Sequence, residues 1–434
     1  MSKEHLYDVV VIGGGPAGMM SAGRASERGR SVLLLEKNQH LGKKLLISGG
    51  GRCNVTNNKP RMRTMLACYK RDGKFLFSAF SQFGVAETLK FFHDRGMDTK
   101  VENEDRVFPT SDKSQSVLDV LTTYMKDGGV EVKTKAEVTS ILYNKEKGYI
   151  EIHIEGMEEV IHAKKCILAT GGTSHPETGS TGEGFSWLQK LGHKVIENDF
   201  ALVPILLRDT WVRDVAGVKL DNIKLTTFKD GVKKKVYKGK LLFTHVGISG
   251  PTVLNMSRDV GELLGNDEGS TYAPTTKEKR TKKKDGVTIV LDLFPTLDTG
   301  AVREKLQTLL QENINKKIKN SLSPLIPTSL GGLILQLAHI DEETPNNNLR
   351  SDERTHIVGL LKALPMSVKG LHGKEKAVIS SGGVALEEVD FKTMQSRLIP
   401  ELYLVGDALN IDRPSGGYSL QLCWTTGYVA GSNC

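Results

Sequence analysis

The chain has 434 residues, of which 38% are hydrophobic and 25% are charged, so it holds enough apolar material for a sizeable core and is not expected to be disordered. No apolar run reaches the roughly 18 residues that cross a bilayer, and the N-terminus lacks the apolar stretch and cleavage site of a signal peptide, so a cytoplasmic protein with no membrane partner is expected. The net charge of +8 hints at an anionic partner. The five cysteines form no CxxC pair, which argues against a dithiol disulfide reductase and predicts no metal site.

The predicted elements begin with a βαβ unit. A buried Val- and Ile-rich strand at residues 6–12 is followed by glycines, by a helix from Pro16 to about Arg28, and by a second buried strand at 32–35 that ends at Glu36. Two helical patterns, a strand-like stretch and another buried strand follow at residues 75–95, 114–126, 130–163 and 166–169.

The pattern changes after about residue 195. Short alternating strands are predicted at 219–228 and 232–243, and a helix at 251–264. A low-complexity Lys-rich segment follows at 265–286, then a strand at 287–293 and three helices at 298–312, 328–339 and 352–363. The segment 265–286 is expected to be a mobile surface loop. A buried strand at 402–407 restores the α/β pattern. We therefore predict a discontinuous nucleotide-binding domain of residues 1–195 and 366–434, interrupted by an insert domain of residues 196–365.

A glycine fingerprint joins the first strand to the first helix. Gly13, Gly15 and Gly18 match GxGxxG, a spacing that permits a tight turn, lets the backbone approach a pyrophosphate and lets the helix pack on the strand. The helix N-terminus would face the phosphates. Glu36 lies 23 residues after Gly13, where a carboxylate accepts hydrogen bonds from a ribose. Together these features predict a Rossmann-like site for a dinucleotide.

Three further features favour FAD over NAD. The segment from Lys43 to Asn54 offers backbone N–H donors and cations for a second stretch of a long ligand. A Thr-Gly-Gly sequence at 170–172 ends a strand. Asp407 ends the last strand, where it would reach a ribityl chain, and the sequence 414–418 opens a last helix whose positive end would face the flavin N1/O2 edge.

The motifs together resemble the BaiN/RdsA-type FAD-dependent flavoproteins. The similar segments are the glycine fingerprint, KKLLISGGGRCNVTN at 43–57, GGTSHPETGSTGEGF at 171–185, LLFTHVGISGPTVLNMS at 241–257 and the stretch GGVALEEVDFKTMQSRLIPELYLVGDALNIDRPSGGYSLQ at 382–421. The resemblance implies an α/β FAD-binding domain of the two-dinucleotide-binding-domain type, interrupted by an insert with a β-barrel-like part and a helical part. Ser419 stands where Asn is common in that family, and His175 where Tyr is common.

The resemblance and the fingerprint imply a set of cofactor-binding residues spread along the predicted nucleotide-binding domain, from the glycine fingerprint to the start of the last helix. These are Gly13, Gly15, Pro16, Ala17, Gly18, Glu36, Lys37, Lys44, Ser48, Gly49, Gly50, Arg52, Asn54, Val138, Gly171, Gly406, Asp407, Gly416, Gly417 and Tyr418.

The resemblance also implies hydride chemistry on activated C=C bonds, either in small enone-type molecules or in a uracil ring of ribosomal RNA. The predicted protein is therefore an FAD-dependent oxidoreductase that uses NAD(P)H to reduce an enone; the alternatives are a dihydrouridine synthase acting on ribosomal RNA and a non-catalytic flavin-binding redox sensor. Protonation of the second carbon needs an acid. Candidates are Cys53, His245 and Tyr418, although each has a purely structural interpretation as a buried thiol, a packed imidazole or a stacked ring.

The positive charge is confined to three basic segments. Residues 59–74, 229–240 and 277–284 each carry six cations against one acid, a net charge of +5 apiece, which leaves −7 for the rest of the chain. Lysine runs are usually solvated loops. If 59–74 and 229–240 share a face, however, they would form a footprint for the phosphate backbone of ribosomal RNA.

Overall fold

The computed structural model describes residues 6–59, 61–196, 203–265, 286–372 and 382–434, which form two compact units. The first unit comprises residues 1–199 and 377–434, and the second comprises residues 200–376. The second unit extends past the predicted boundary at residue 365, because the strand Leu364–Leu371 pairs with two strands of that unit.

Strands and helices are numbered along the described chain. The strands are β1 Leu6–Ile12, β2 Val32–Glu36, β3 Thr56–Asn57, β4 Thr99–Glu102, β5 Arg106–Pro109, β6 Glu131–Thr134, β7 Val138–Asn144, β8 Tyr149–Ile154, β9 Ile161–Leu168, β10 Val195–Ile196, β11 Ile205–Leu207, β12 Lys219–Lys229, β13 Val232–Thr244, β14 Gly247–Ser249, β15 Val287–Asp292, β16 Leu364–Leu371, β17 Gly383–Val384 and β18 Leu402–Leu404. The helices are α1 Pro16–Glu27, α2 Lys43–Ile47, α3 Met62–Ala67, α4 Gly73–Gln82, α5 Val85–His93, α6 Ser114–Asp127, α7 Glu183–Lys190, α8 Pro251–Leu264, α9 Thr299–Glu312, α10 Ile318–Ser321, α11 Thr328–Leu337, α12 Ser351–Lys362 and α13 Tyr418–Asn433.

The first unit is built on a seven-stranded sheet. Its order is β6-β2-β1-β9-β8-β7, with β18 also paired to β9. Strands β2, β1, β9 and β18 are parallel, and their central residues are buried. Helix α1 packs against β1, β2 and β9, and helices α6 and α13 pack against α1. This is the predicted Rossmann-like α/β fold, and the carboxyl ends of its parallel strands lie at one edge.

The second unit combines a closed barrel with helices. Strands follow the order β11-β14-β13-β12-β15-β16, and β16 pairs back onto β11. The barrel interior and helices α8, α9, α11 and α12 share one hydrophobic core, which includes Leu225, Phe243, Ile289 and Leu330. The β-barrel-like and helical parts of the predicted insert are therefore both present. The predicted mobile loop, apart from Gly265 and Gly286, lies outside the described residues, and so does the basic segment 277–284.

Candidate functional site

The glycine turn between β1 and α1 has the geometry of a phosphate cradle. A Cβ atom on Gly18 would lie 1.9 Å from the carbonyl oxygen of Gly13, so no side chain fits where the helix meets the strand. In contrast, nothing lies within 4 Å of the Cβ position of Gly15. Gly15 is the N-cap of α1 and supplies no side-chain cap, and Pro16 and Ala17 begin the helix. The first turn of α1 thus presents its positive end to open space.

The side chain of Glu36 lies beside this turn and is hydrogen-bonded to it. Its Oε2 accepts a hydrogen bond from the Gly14 N–H at 2.7 Å, and its Oε1 accepts from the backbone and side-chain N–H groups of Asn38 at 2.8 and 2.7 Å. The backbone N–H of Ala136 donates to the Glu36 carbonyl. Two residues later, β7 begins at the buried Val138. The neighbouring Lys37 forms an ion pair with Glu183 at 2.8 Å. Glu36 is therefore held rigidly at the end of β2.

Lys44 places a half-buried positive charge near the segment that follows β9. Its Nζ donates to Ser174 O at 2.6 Å, to Ser180 Oγ at 2.7 Å and to Ser174 Oγ at 3.3 Å. Burial lowers the pKa of Lys44, and the negative charge of Asp407 opposes that shift. Gly171, which has a positive φ, lies against Ser180. Because the three hydrogen-bond acceptors of Lys44 are neutral oxygens, its charge is available to an anionic ligand.

Asp407 is paired with an arginine that the sequence analysis did not identify. Arg413, which is 6% exposed, forms an ion pair with Asp407, donates from Nη1 to Ile411 O at 2.8 Å and donates from Nε to Ser419 Oγ at 2.9 Å. Gly406 precedes Asp407 directly after β18 with a positive φ. A signal for Arg413 was present, since a charged residue lies between the last strand and the last helix, but its burial depends on tertiary contacts that no local pattern contains.

The turn that opens α13 lies against the segment 55–57. Gly417 has φ +99°, and a Cβ atom there would come within 2.4 Å of the Thr56 carbonyl group. Gly416 precedes it, also with a positive φ. Further along α13, Gln421 accepts a hydrogen bond from Thr56 Oγ1 at 2.6 Å. These contacts fix the N-terminus of a 16-residue helix beside β3.

The segment Ser48–Asn54 contributes mainly backbone groups. Gly49 and Gly50 have positive φ, and the Ser48 hydroxyl donates to Leu45 O. Arg52 binds Glu102 and Asp112 at 2.8 and 3.2 Å and lies over the Phe108 ring. Asn54 Oδ1 accepts from the Val107 N–H at 3.3 Å. The side chains of Arg52 and Asn54 therefore anchor the segment to its own unit, where sequence reasoning expected cofactor contacts.

The three candidate acids lie in different environments. Cys53 is fully buried with φ +60°, and burial raises the pKa of its thiol to about 12. Tyr418 is 6% exposed, and its Oη lies 3.4 Å from Cys68 Sγ; burial raises the pKa of its phenol well above the ordinary value. His245 lies in the exposed turn between β13 and β14 of the second unit. The first unit thus holds Cys53 and Tyr418, and both stay protonated at neutral pH.

The residues of the first unit fit FAD. An open glycine turn and the half-buried Lys44 suit a pyrophosphate, whereas Glu36 and Asp407 supply carboxylate oxygens for hydroxyl groups. Among the described residues, no cluster of three or more His, Cys, Asp or Glu side chains has the arrangement of a metal site. Within the same residues, no helix has the length and apolarity required to span a membrane.

Comparisons with known proteins place this geometry among flavoenzymes. The model of the HI0933-like protein Rossmann domain matches residues 7–433. A 3-dehydro-bile acid delta(4,6)-reductase of Clostridium scindens is 30% identical over 424 residues, which covers 97% of each chain. A ribosomal RNA dihydrouridine synthase of Escherichia coli is 28% identical over 431 residues, covering 98% of this chain and 96% of that protein. Among solved structures, the 3-ketosteroid-delta4-(5alpha)-dehydrogenase of Rhodococcus jostii shares the fold, with a TM-score of 0.51, 14% identity, and coverage of 99% and 97% of the two chains.

Proposed function

Since this chain belongs to the HI0933-like family and is an FAD-dependent oxidoreductase, we propose that it reduces an activated C=C bond of a small enone-type molecule, with NAD(P)H as the electron donor. Reduction adds one hydride and one proton across the double bond and leaves the saturated ketone and NAD(P)⁺. When bound, FAD supplies the hydride. The protein must bind the substrate, exclude water and hold the proton.

One observation carries this proposal: the likeness to the bile acid reductase extends over 97% of both chains. A glycine fingerprint alone would support only dinucleotide binding, because many unrelated reactions use that fold. A full-length likeness includes the barrel and the helices of the second unit as well. It therefore supports a shared reaction class in addition to a shared cofactor.

Tyr418 is the side chain best suited to hold the proton. Its phenol is buried beside the turn that starts α13, and burial keeps its pKa raised, so the proton stays on Oη throughout the physiological range. A weak acid of this kind protonates a strongly basic carbon without releasing its proton to solvent beforehand. Cys53 has the same protonation state but no exposed surface.

Product analysis tests the proposed reaction. The purified protein is incubated anaerobically with a steroid 4,6-dien-3-one and either NADH or NADPH, and the steroid is examined by mass spectrometry. The mass of two hydrogens should be gained with at least one of the two donors, and the corresponding saturated ketone should not react. A dienone that returns unchanged with both donors, while the flavin is reduced by them, would contradict the proposal.

A basic hairpin favours dihydrouridine synthesis in ribosomal RNA as the second candidate function. Strands β12 and β13 expose Lys233, Lys234 and Lys238, which make no ion pair with another described residue. Lys235 and Lys240 on the same hairpin are paired with Asp259 and Asp221. Three unpaired lysines on a single hairpin supply the cations that a phosphate backbone requires.

The salt dependence of RNA binding tests this candidate. Replacing all three exposed lysines by Gln should reduce the slope of log affinity against log salt by roughly 2 to 3, because each phosphate contact contributes about 0.7 to 0.9. Matching Gln changes at exposed lysines outside the hairpin serve as the control: Lys113, Lys126 and Lys190. A wild-type protein that fails to bind ribosomal RNA at low salt would rule this candidate out.

A further inference from the structure

One buried polar atom beside the start of α13 has no protein partner. Asn57, the second residue of β3, is 2% exposed, and its Oδ1 accepts no hydrogen bond. Buried carbonyl groups are nearly always paired, and an unpaired one in a native fold needs an explanation such as a ligand or a bound water. The FAD-contact residues expected from the sequence did not include Asn57.

The orientation of this amide is fixed by its other end. Asn57 Nδ2 donates to Glu104 O at 3.0 Å and to Gly416 O at 3.1 Å. Both partners are carbonyl oxygens, which only an N–H group can satisfy, so the amide cannot be turned over. Oδ1 must therefore be the unpaired atom, and the ligand group that meets it must be a hydrogen-bond donor.

The surroundings of Asn57 indicate which donor that is. Gly416 and Gly417 form the turn that opens α13, and the first turn of this long helix presents its N–H groups there. Such donors suit the N1 and C2=O acceptors at the pyrimidine edge of a flavin. The next atom along that edge is N3–H, the one N–H donor of the oxidised ring system.

We infer that Asn57 Oδ1 accepts a hydrogen bond from N3–H of the bound flavin. The ribose and ribityl hydroxyl groups have carboxylate acceptors in Glu36 and Asp407, whereas N3–H has no other acceptor assigned. An enone oxygen is itself an acceptor and does not satisfy Oδ1. The inference rests on FAD binding and is independent of which substrate is reduced.

A flavin that lacks the donor tests this pairing. Full-length protein is stripped of flavin and titrated with FAD and with 3-methyl-FAD, and binding is followed by flavin fluorescence. Wild-type protein should bind FAD at least about tenfold more tightly than 3-methyl-FAD, because one hydrogen bond is lost and a methyl group meets Oδ1. Asn57→Ala should bind FAD about tenfold more weakly and should narrow the ratio between the two flavins to about threefold or less.

The adjacent Asn58 provides a matched control, since it is exposed. Asn58→Ala should keep the wild-type ratio. If Asn57→Ala weakens both flavins equally, the pairing is wrong, whereas failure of wild-type protein to bind FAD at all would instead overturn the cofactor assignment.

A second measurement needs no variant. An acceptor on N3–H stabilises the neutral ring and opposes loss of the N3 proton. The bound flavin should therefore ionise at a higher pH than free FAD when its absorbance is followed in an alkaline titration. Ionisation at the same or a lower pH would overturn the inference, even if the Asn57→Ala protein fails to fold.

Discussion

At the scale of single residues, the candidate site contains half-buried charged side chains that are held by partners outside their own motifs. Lys44 meets Ser174 and Ser180, and Asp407 meets Arg413. Residue type and position in the glycine-rich motifs predict Lys44, Glu36 and Asp407 as cofactor contacts, and these assignments stay predictions. Arg413 and Asn57 were missed, because their importance follows from burial and from partners that no sequence spacing encodes.

Tyr418→Phe tests the proposed proton donor. Turnover with an enone should fall by roughly 100-fold or more, since general acids contribute about 10²- to 10⁴-fold, while FAD should remain bound. Because burial raises the pKa of Tyr418, wild-type activity should show no loss from this group below about pH 10. The pH profile of turnover is the measurement.

Tyr428→Phe is the matched control, because Tyr428 lies on the same helix and its ring stacks on Phe83. It should keep normal turnover. A Tyr418→Phe protein that is as active as wild type would mean that the proton comes from another group.

At the scale of elements, the strands and helices around the candidate site could largely be predicted, whereas the residues at which they begin and end could not. The Val- and Ile-rich run at 6–12 is β1, and the apolar periodicity after Pro16 is α1. The helical pattern at 75–95 proved to be two helices, because α4 ends at Gln82 with Phe83 as its C-cap and Gly84 caps the start of α5. The barrel could not be derived from periodicity, since alternating strands predict a sheet but do not specify which edges close it.

Gly417→Ala tests the turn that positions α13. The positive φ and the close Thr56 carbonyl should make any side chain destabilising by about 1–3 kcal/mol. The free energy of unfolding measured in urea and the flavin content of the purified protein should both fall. Gly359→Ala, at an exposed helical glycine of α12 with open space around it, should be neutral or stabilising by up to about 1 kcal/mol.

Asp292→Asn tests the polar anchor between β15 and α12 in the second unit. Asp292 is 1% exposed and binds Lys362 and Lys224 at 2.9 and 2.8 Å. Burial alone would raise the pKa of this carboxyl, but the two lysines outweigh it and hold the pKa below its usual range. Removing the charge should cost about 3 kcal/mol, because Lys362 is left buried without its acidic partner.

The sign of the pH effect follows from the lowered pKa. The unfolded chain binds the proton more readily than the folded one, so the stabilisation by Asp292 is present above its usual pKa, near 4. It is lost as the pH falls through the folded value. The difference in unfolding free energy between wild-type and Asp292→Asn proteins, measured in urea, should shrink from pH 7 to pH 3. A difference that is unchanged or larger at pH 3 would contradict the ion-pair account.

At the scale of the whole molecule, the two units differ in architecture. The first unit contains the Rossmann-like sheet and the residues proposed to bind the cofactor, and the second contains a barrel with a basic hairpin. The net charge of +8 pointed to a polyanionic partner, yet several cations of the basic segments are paired within their own unit, including Lys59 with Asp105 and Lys235 with Asp259. The fold class and the cofactor could be predicted from the motifs, whereas the substrate could not, because substrate contacts depend on tertiary arrangement.

The central claim is that this flavoprotein delivers electrons to an activated C=C bond. The most direct test is a single turnover without oxygen: the protein is reduced with one equivalent of dithionite, mixed with a steroid 4,6-dien-3-one, and followed by flavin absorbance. The oxidised flavin spectrum should return with one equivalent of reduced steroid formed per flavin, and the saturated ketone should have no such effect. A flavin that stays reduced in the presence of the dienone, yet is reoxidised by oxygen admitted afterwards, would contradict it.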